Sequence, residues 1–115
     1  MILNVPGGSV LVIDAKVSLN SYQDAFEAES DEDRKGHLDR HARAMKAHVD
    51  ILGRKDYQDQ FDTAPDYVIM FVPGEHFLSA ALEQDTGLWE YAFAKRVLLA
   101  TPTNLIAIAR TVAAV

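Results

Sequence analysis

The chain has 115 residues, of which 49% are hydrophobic and 24% charged, and a formal net charge of −6 at pH 7. This size and composition fit one globular domain and exclude a disordered or collagen-like chain. The chain contains no cysteine, which excludes disulfides and thiolate metal sites, and no apolar run approaches the roughly 20 residues that span a bilayer, so we predict a cytoplasmic protein with no membrane partner.

Two β-rich runs open the chain. They cover residues 1–5 and 9–17 and are separated by Pro6-Gly7-Gly8, a turn cluster that is typical of a β-hairpin. Polar side chains within residues 18–21 offer N-caps for a short helix, which is predicted to run to about Glu29.

A longer helix is predicted from Ser30 to Leu52. Ser30 with Asp33 three residues later is a capping signature, and Gly53 is a typical helix stop. Apolar residues recur within this helix at spacings of three and four and must therefore face a core. They are Leu38, Ala42, Met45, Val49 and Leu52.

Strands and helices alternate in the second half of the chain. The continuous apolar run at 67–72 is typical of a central strand that is covered on both faces. The further predicted elements are helices at 75–84 and 88–95, a buried strand at 97–100 and a last helix with Thr101 as N-cap and Pro102 at its first position. This order predicts an α/β fold, a mixed sheet flanked by helices, within a single domain.

The second β-rich run leads into Asp14-Ala15-Lys16. Side chains two residues apart on a strand point to the same face, so the carboxylate and the amine lie side by side. One interpretation is a metal site, in which Asp14 and the Ala15 carbonyl bind Mg²⁺ or Mn²⁺ and Lys16 activates a water or stabilises charge on phosphorus. The alternative is a salt bridge at the end of the strand.

Glu75 is a second carboxylate that follows a buried strand. We predict that it reaches the same edge of the sheet as Asp14 and takes part in catalysis there. The alternative is that Glu75 only interacts favourably with the N-terminus of the helix that it starts.

Seven of the eleven basic residues lie in one stretch of the chain: Arg34, Lys35, Arg40, Arg43, Lys46, Arg54 and Lys55. A locally basic helix in an acidic protein can meet a DNA backbone, and Arg43 and Lys46 are candidate contacts. The alternative is a solvated helix face. Lys55 and Tyr57 follow the helix and either cap it or contact the ligand.

Histidines are spaced along the same helix. His37 and His41 are four residues apart, a spacing that can bind zinc, but the sequence shows no third ligand. We therefore predict surface or edge histidines. His48, beside the apolar stripe, is a further candidate to hold a DNA phosphate or a water at the scissile bond.

Several motifs occur together and in a fixed order. They are Val5-Pro6-Gly7-Gly8, Val12-Ile13-Asp14-Ala15-Lys16-Val17, the spacing from His41 to His48 that leads to Leu52-Gly53-Arg54-Lys55-Asp56-Tyr57, then Asp66-Tyr67-Val68-Ile69-Met70-Phe71-Val72-Pro73-Gly74-Glu75, Thr101-Pro102-Thr103 and Arg110-Thr111-Val112-Ala113. In these motifs the chain resembles the RmuC family of DNA recombination proteins over essentially its whole length.

The resemblance implies a nuclease-like domain similar to the PD-(D/E)xK fold, in a protein that limits DNA rearrangement. It implies that Asp14 and Lys16 are the acid and the lysine of that motif, with Mg²⁺ or Mn²⁺ as cofactor and DNA as partner. Other positions match family motifs without an assigned role; they are His41, His48, Lys55, Tyr57 and Glu75.

One departure from the family pattern concerns the first strand. In the family a Pro-Asp pair opens that strand, and its aspartate would fall immediately before Met1. We therefore expect residues 1–115 to be an excised central domain that holds one of two metal-binding acids and is inactive alone. Apolar surface at the cut edges would favour a homo-oligomer. A non-catalytic DNA-binding module is the alternative function.

Overall fold

The computed structural model describes residues 2–4, 10–14, 19–54 and 67–113. Nine elements follow one another in the described part of the chain: β1 (Ile2–Asn4), β2 (Val10–Asp14), α1 (Asn20–Glu27), α2 (Asp31–Leu52), β3 (Tyr67–Phe71), α3 (Glu75–Gln84), α4 (Leu88–Ala94), β4 (Val97–Ala100) and α5 (Leu105–Ala113). The predicted mixed α/β architecture is confirmed.

The four strands form one sheet in the order β1-β2-β3-β4. β1 pairs antiparallel with β2, whereas β2 and β3, and β3 and β4, are parallel. The register places Asp14 beside Met70 and Met70 beside Leu99. The carboxyl ends of β2, β3 and β4 therefore meet at one edge of the sheet, which we call the carboxyl edge.

α2 is stabilised at both ends as the sequence predicts. The Ser30 Oγ accepts a hydrogen bond from the Asp33 backbone N–H at 3.1 Å, which satisfies one donor that the first turn leaves unpaired. Three acidic residues, 31–33, lie in that turn, where the helix dipole favours negative charge. At the other end, the Gly53 backbone N–H donates to the Val49 carbonyl at 2.9 Å.

Helices cover both faces of the sheet. On one face α2, α3 and α4 bury a core that includes Val12, Val68 and Met70 from the strands and Met45 and Leu88 from the helices. The opposite face carries a smaller cluster, which joins Ile69 and Ala100 to partly buried side chains of α5. The apolar run at 67–72 is therefore covered on both sides, as predicted.

The start of the last helix differs from the prediction. The helix begins at Leu105 rather than at Thr101-Pro102. Residues 102–104 form a turn in which the Asn104 Oδ1 accepts from the Thr101 backbone N–H at 2.6 Å. Thr101 cannot serve as the N-cap because its side chain is fully buried and its hydroxyl donates to Glu75.

The link from α4 to β4 depends on a left-handed residue. Arg96 has φ 61°, a conformation that costs a residue with a Cβ roughly 1–2 kcal/mol. Its backbone N–H donates to the Phe93 carbonyl at 2.9 Å, and its carbonyl accepts from Val68 at 3.0 Å. The left-handed conformation of Arg96 thus ends α4 and aligns β4 with β3.

None of the helices in the described segments is both long enough and apolar enough to cross a bilayer.

Candidate active site at the carboxyl edge

Asp14 is the last residue of β2 and lies at the carboxyl edge. Because side chains alternate along a strand, Asp14 points to the same face as the buried Val12, which is the face that α2 covers. In open α/β sheets this edge is where ligands bind. The topology thus brings the Asp14 carboxylate to the edge of the sheet where a ligand can bind.

His48 of α2 meets this carboxylate. The His48 Nε2 donates to the Asp14 Oδ1 at 3.2 Å, and the two side chains are only 18% and 16% exposed. A half-buried carboxylate that is hydrogen-bonded on one oxygen has a fixed orientation. One partner of Asp14 is therefore a histidine 34 positions away in sequence. Ala15 and Lys16, which the sequence proposed as its neighbours, lie outside the described residues.

Glu75 reaches the carboxyl edge from the next strand. It begins α3, just after β3, and its Oε1 accepts a hydrogen bond from the Thr101 hydroxyl at the end of β4. Glu75 also lies in the first turn of α3, so the proposed interaction with the helix dipole fits the same position. The hydrogen bond fixes the carboxylate across the ends of two parallel strands.

The donor set at this edge is small. Nowhere in segments 2–4, 10–14, 19–54 and 67–113 do three or more His, Asp or Glu side chains form a group arranged to hold a metal ion. Mg²⁺ commonly takes only one or two protein carboxylates and completes its shell with waters and substrate phosphates. Asp14 therefore fits such an ion as one carboxylate ligand, whose orientation the hydrogen bond from His48 fixes.

His41 differs from the expectation of a surface or edge histidine. Its side chain is fully buried, and its Nε2 donates to the Phe77 carbonyl at 2.7 Å. The carbonyl can only accept, so the Nε2 carries the proton. Its Nδ1 is buried without a hydrogen-bond partner in the described structure. His41 ties α2 to α3 rather than pairing with His37, whose Nδ1 accepts from Arg40 at 2.7 Å.

The basic residues of α2 have different partners. Arg34 lies 3.0 Å from Asp31, Arg43 is exposed, and Lys46 lies over the ring of Tyr91 at 4.4 Å from its centroid. Lys55 and Tyr57, the other predicted DNA contacts, fall outside the described residues.

Comparison with known proteins identifies the family of the chain. The model of the RmuC family matches residues 1–115. The chain belongs to the RmuC family.

RmuC relatives match nearly the full length of the chain. A protein of Zymomonas mobilis named DNA recombination protein RmuC homolog is 69% identical over 114 residues, which is 99% of this chain and 25% of that protein. A homolog from Pasteurella multocida is 40% identical over 97% of this chain and 22% of its own length. The DNA recombination protein RmuC of Escherichia coli K12 is 38% identical over 98% of this chain and 24% of its own length.

The chain thus spans about a quarter of the length of these RmuC relatives. No solved structure matches it.

Three residues of the RmuC chain that form hydrogen bonds between distant segments were missed from the sequence. Thr101 was assigned to a helix cap, although it is the hydrogen-bond partner of Glu75. Tyr91 and Asp50 were not singled out, although the Tyr91 hydroxyl donates to the Asp50 carboxylate. The one local signal was the spacing of four residues that puts Asp50 and Lys46 on one face of α2.

Proposed function

We propose that this RmuC-family chain is the nuclease-like domain of a DNA recombination protein that limits DNA rearrangement by metal-dependent action on structured DNA. The observation that carries the proposal is the Asp14 carboxylate at the carboxyl edge, held at 3.2 Å by His48. The names of the relatives, DNA recombination protein RmuC, support a role in DNA recombination. The likeness to the PD-(D/E)xK fold is part of the proposal.

In this proposal each residue has a distinct role. Asp14 and the Ala15 carbonyl hold Mg²⁺ or Mn²⁺, and His48 orients the carboxylate. Lys16 orients or deprotonates the attacking water or stabilises the charge that develops on phosphorus. Glu75 takes part in catalysis from the start of α3, next to the end of the neighbouring strand β3. The metal, when bound, supplies positive charge that polarises the phosphoryl group and acidifies water.

A nuclease assay on the full-length protein tests the proposal. Cleavage of structured DNA in Mg²⁺ or Mn²⁺ is compared among the wild type, Lys16→Ala, Asp14→Asn and the control Asp24→Asn, an exposed carboxylate on α1. We expect both site variants to lose on the order of 100-fold or more in rate, and the control to keep its rate. Equal cleavage by the wild type and Lys16→Ala would remove Lys16 from the mechanism.

A DNA-binding module that does not cut is the second candidate function. It is favoured by the basic side chains of α2, of which Arg43 is exposed and Lys46 lies over the ring of Tyr91. Salt-dependent DNA binding without metal-dependent hydrolysis supports this candidate. Charge reversal at Arg43 and Lys46 should then weaken binding, and an unchanged affinity would count against α2 as the contact surface.

Self-association of the isolated domain is a further proposal. Large apolar side chains are exposed on α1, α4 and α5, with Phe26 74%, Phe93 56% and Ile106 64% exposed. Exposed apolar surface favours association. Sedimentation at micromolar concentration tests this proposal, and a clean monomer at all concentrations would rule it out.

A further inference from the structure

Four polar and aromatic side chains meet where the end of α2 packs on α4. The Tyr91 hydroxyl donates to an oxygen of Asp50. The Lys46 Nζ lies 4.4 Å from the centroid of the Tyr91 ring, and the Lys95 Nζ lies 5.2 Å from the same centroid. Lys95 also lies 3.6 Å from the Asp50 carboxylate. Two ammonium groups therefore converge on one aromatic ring.

The net charge of this group is positive. Two lysines face one carboxylate, and Tyr91 remains a neutral phenol at physiological pH. Its hydrogen bond to Asp50, partial desolvation and the negative charge of that carboxylate all raise the pKa of Tyr91 above its ordinary value. One positive charge is thus left without an internal counterion within the group.

The two lysines are held in place and remain accessible. Each ammonium is attracted to the ring face, which restricts side chains that otherwise carry about 2 kcal/mol of rotamer entropy. The Lys95 stem packs closely against α2, since a Cβ added to Gly53 would lie only 2.9 Å from the Lys95 Cβ. The side chain of Lys95 is still 40% exposed, and Lys46 is partly exposed.

We propose that Lys46 and Lys95, held on the ring of Tyr91, form a clamp for a phosphate of a nucleic-acid backbone. A phosphodiester carries one negative charge, which matches the single uncompensated positive charge of the group. Lys46 was a candidate from the sequence, and the structure adds Tyr91 of α4, Lys95, which directly follows α4, and Asp50 of α2.

The clamp rests on the proposed function, because it names where a DNA-acting domain holds the backbone. It also distinguishes the end of α2 from its beginning. In the first half of α2, Arg34 is paired with Asp31 at 3.0 Å, and Arg40 donates to His37. The end of α2 therefore offers donors that are both preorganised and only partly neutralised.

The experiment measures binding of duplex DNA to the full-length protein by fluorescence anisotropy over a range of salt. We expect Lys46→Gln with Lys95→Gln to weaken binding by at least about tenfold and to reduce the slope of log affinity against log salt by about 0.9, since the two lysines hold one phosphate and each phosphate contact contributes about 0.9. Lys46→Arg with Lys95→Arg should restore most of the affinity and the slope, because the charges return.

Two further variants separate a phosphate site from a structural role. Asp50→Asn keeps an oxygen that accepts from Tyr91 but removes the negative charge, so we expect tighter binding, a change opposite in sign to that of the lysine variants. Lys35→Gln removes one positive charge from an exposed position near the start of α2 and should have little effect.

The outcomes distinguish failure of the clamp from failure of the proposed function. Normal DNA binding and salt slope in the double Gln variant would overturn the clamp and leave the proposed function standing. Equal losses in Lys35→Gln, or weaker binding in Asp50→Asn, would also overturn it, since the effect would then be general or structural. A wild-type protein that binds no DNA would overturn both.

Discussion

The His48 imidazole donates to the Asp14 carboxylate at 3.2 Å and thereby joins the middle of α2 to the carboxyl end of β2. Both side chains are mostly shielded from water. The contact has two consequences: it stabilises the packing of α2 on the sheet, and it orients the one carboxylate that the proposed chemistry needs most.

The contribution of the Asp14–His48 contact to the free energy of unfolding can be measured by a double-mutant cycle with Asp14→Asn and His48→Gln. We expect each single variant to lower the free energy of unfolding by about 1–2 kcal/mol, because its partner is left half-buried with a poorer hydrogen bond. The coupling energy from denaturant titrations should be about 0.5–3 kcal/mol. A coupling energy of zero would show that the two groups do not interact in solution.

The Glu75–Thr101 hydrogen bond predicts a matched pair of threonine variants. Thr101→Val removes a fully buried hydroxyl, and we expect it to lower the free energy of unfolding by about 1–2 kcal/mol, a limited loss because the exposed Glu75 can regain water. Thr103→Val, at an exposed position of the following turn, should stay within about 0.5 kcal/mol of the wild type. Similar effects at both positions would contradict the assigned role of Thr101.

Two glycines of the same helix region should respond to alanine in opposite directions. Gly36 lies within α2, and a Cβ added there would have only the guanidinium of Arg40 nearby, at 3.8 Å, so Gly36→Ala should stabilise by about 0.5–1 kcal/mol. At Gly53 the added Cβ would lie 2.9 Å from the Lys95 Cβ and 3.3 Å from the Val49 carbonyl oxygen. Gly53→Ala should therefore destabilise by about 1–3 kcal/mol. Thermal unfolding of both variants checks the signs.

Tyr91 should titrate above the ordinary tyrosine pKa of 10.0 because it donates to Asp50, is partly desolvated and feels that negative charge. A pKa that is raised in the folded state adds stability below the unfolded pKa, and this stability is lost as pH rises through the folded pKa. The difference in phenolate absorbance between the wild type and Tyr91→Phe reports the titration. In Asp50→Asn the titration should shift to lower pH because the negative charge is lost, and an unchanged curve would contradict the contact between Tyr91 and the Asp50 carboxylate.

Local signals in the sequence were sufficient for α2. Ser30 with Asp33 located its start, and the apolar spacing from Ala42 to Leu52 located its buried face. The burial of His41 was missed, because a search for apolar residues alone passes over a histidine on the edge of the same stripe. A helical wheel that included every residue type would have placed it there.

Contacts between distant segments could not be predicted in the same way. The pairing of Asp14 with Met70 and the contact of Asp14 with His48 depend on how the chain crosses over from β2 to β3, and no local pattern encodes that path. Thr101 is a second example, in which a local pattern predicted the wrong role. Its sequence context is a good N-cap, but a tertiary hydrogen bond to Glu75 uses the hydroxyl instead.

The parallel pairing of β2 with β3 also sets the order in which the molecule can form. A parallel pair requires a long crossover connection, and here α1 and α2 lie between the two strands. On a ribosome, Asp14 emerges long before Met70, and Glu75 emerges before Thr101. The carboxyl edge is therefore among the last parts of the domain to assemble, and a nascent chain stopped before β4 would carry Asp14 and His48 but not the Thr101 partner of Glu75.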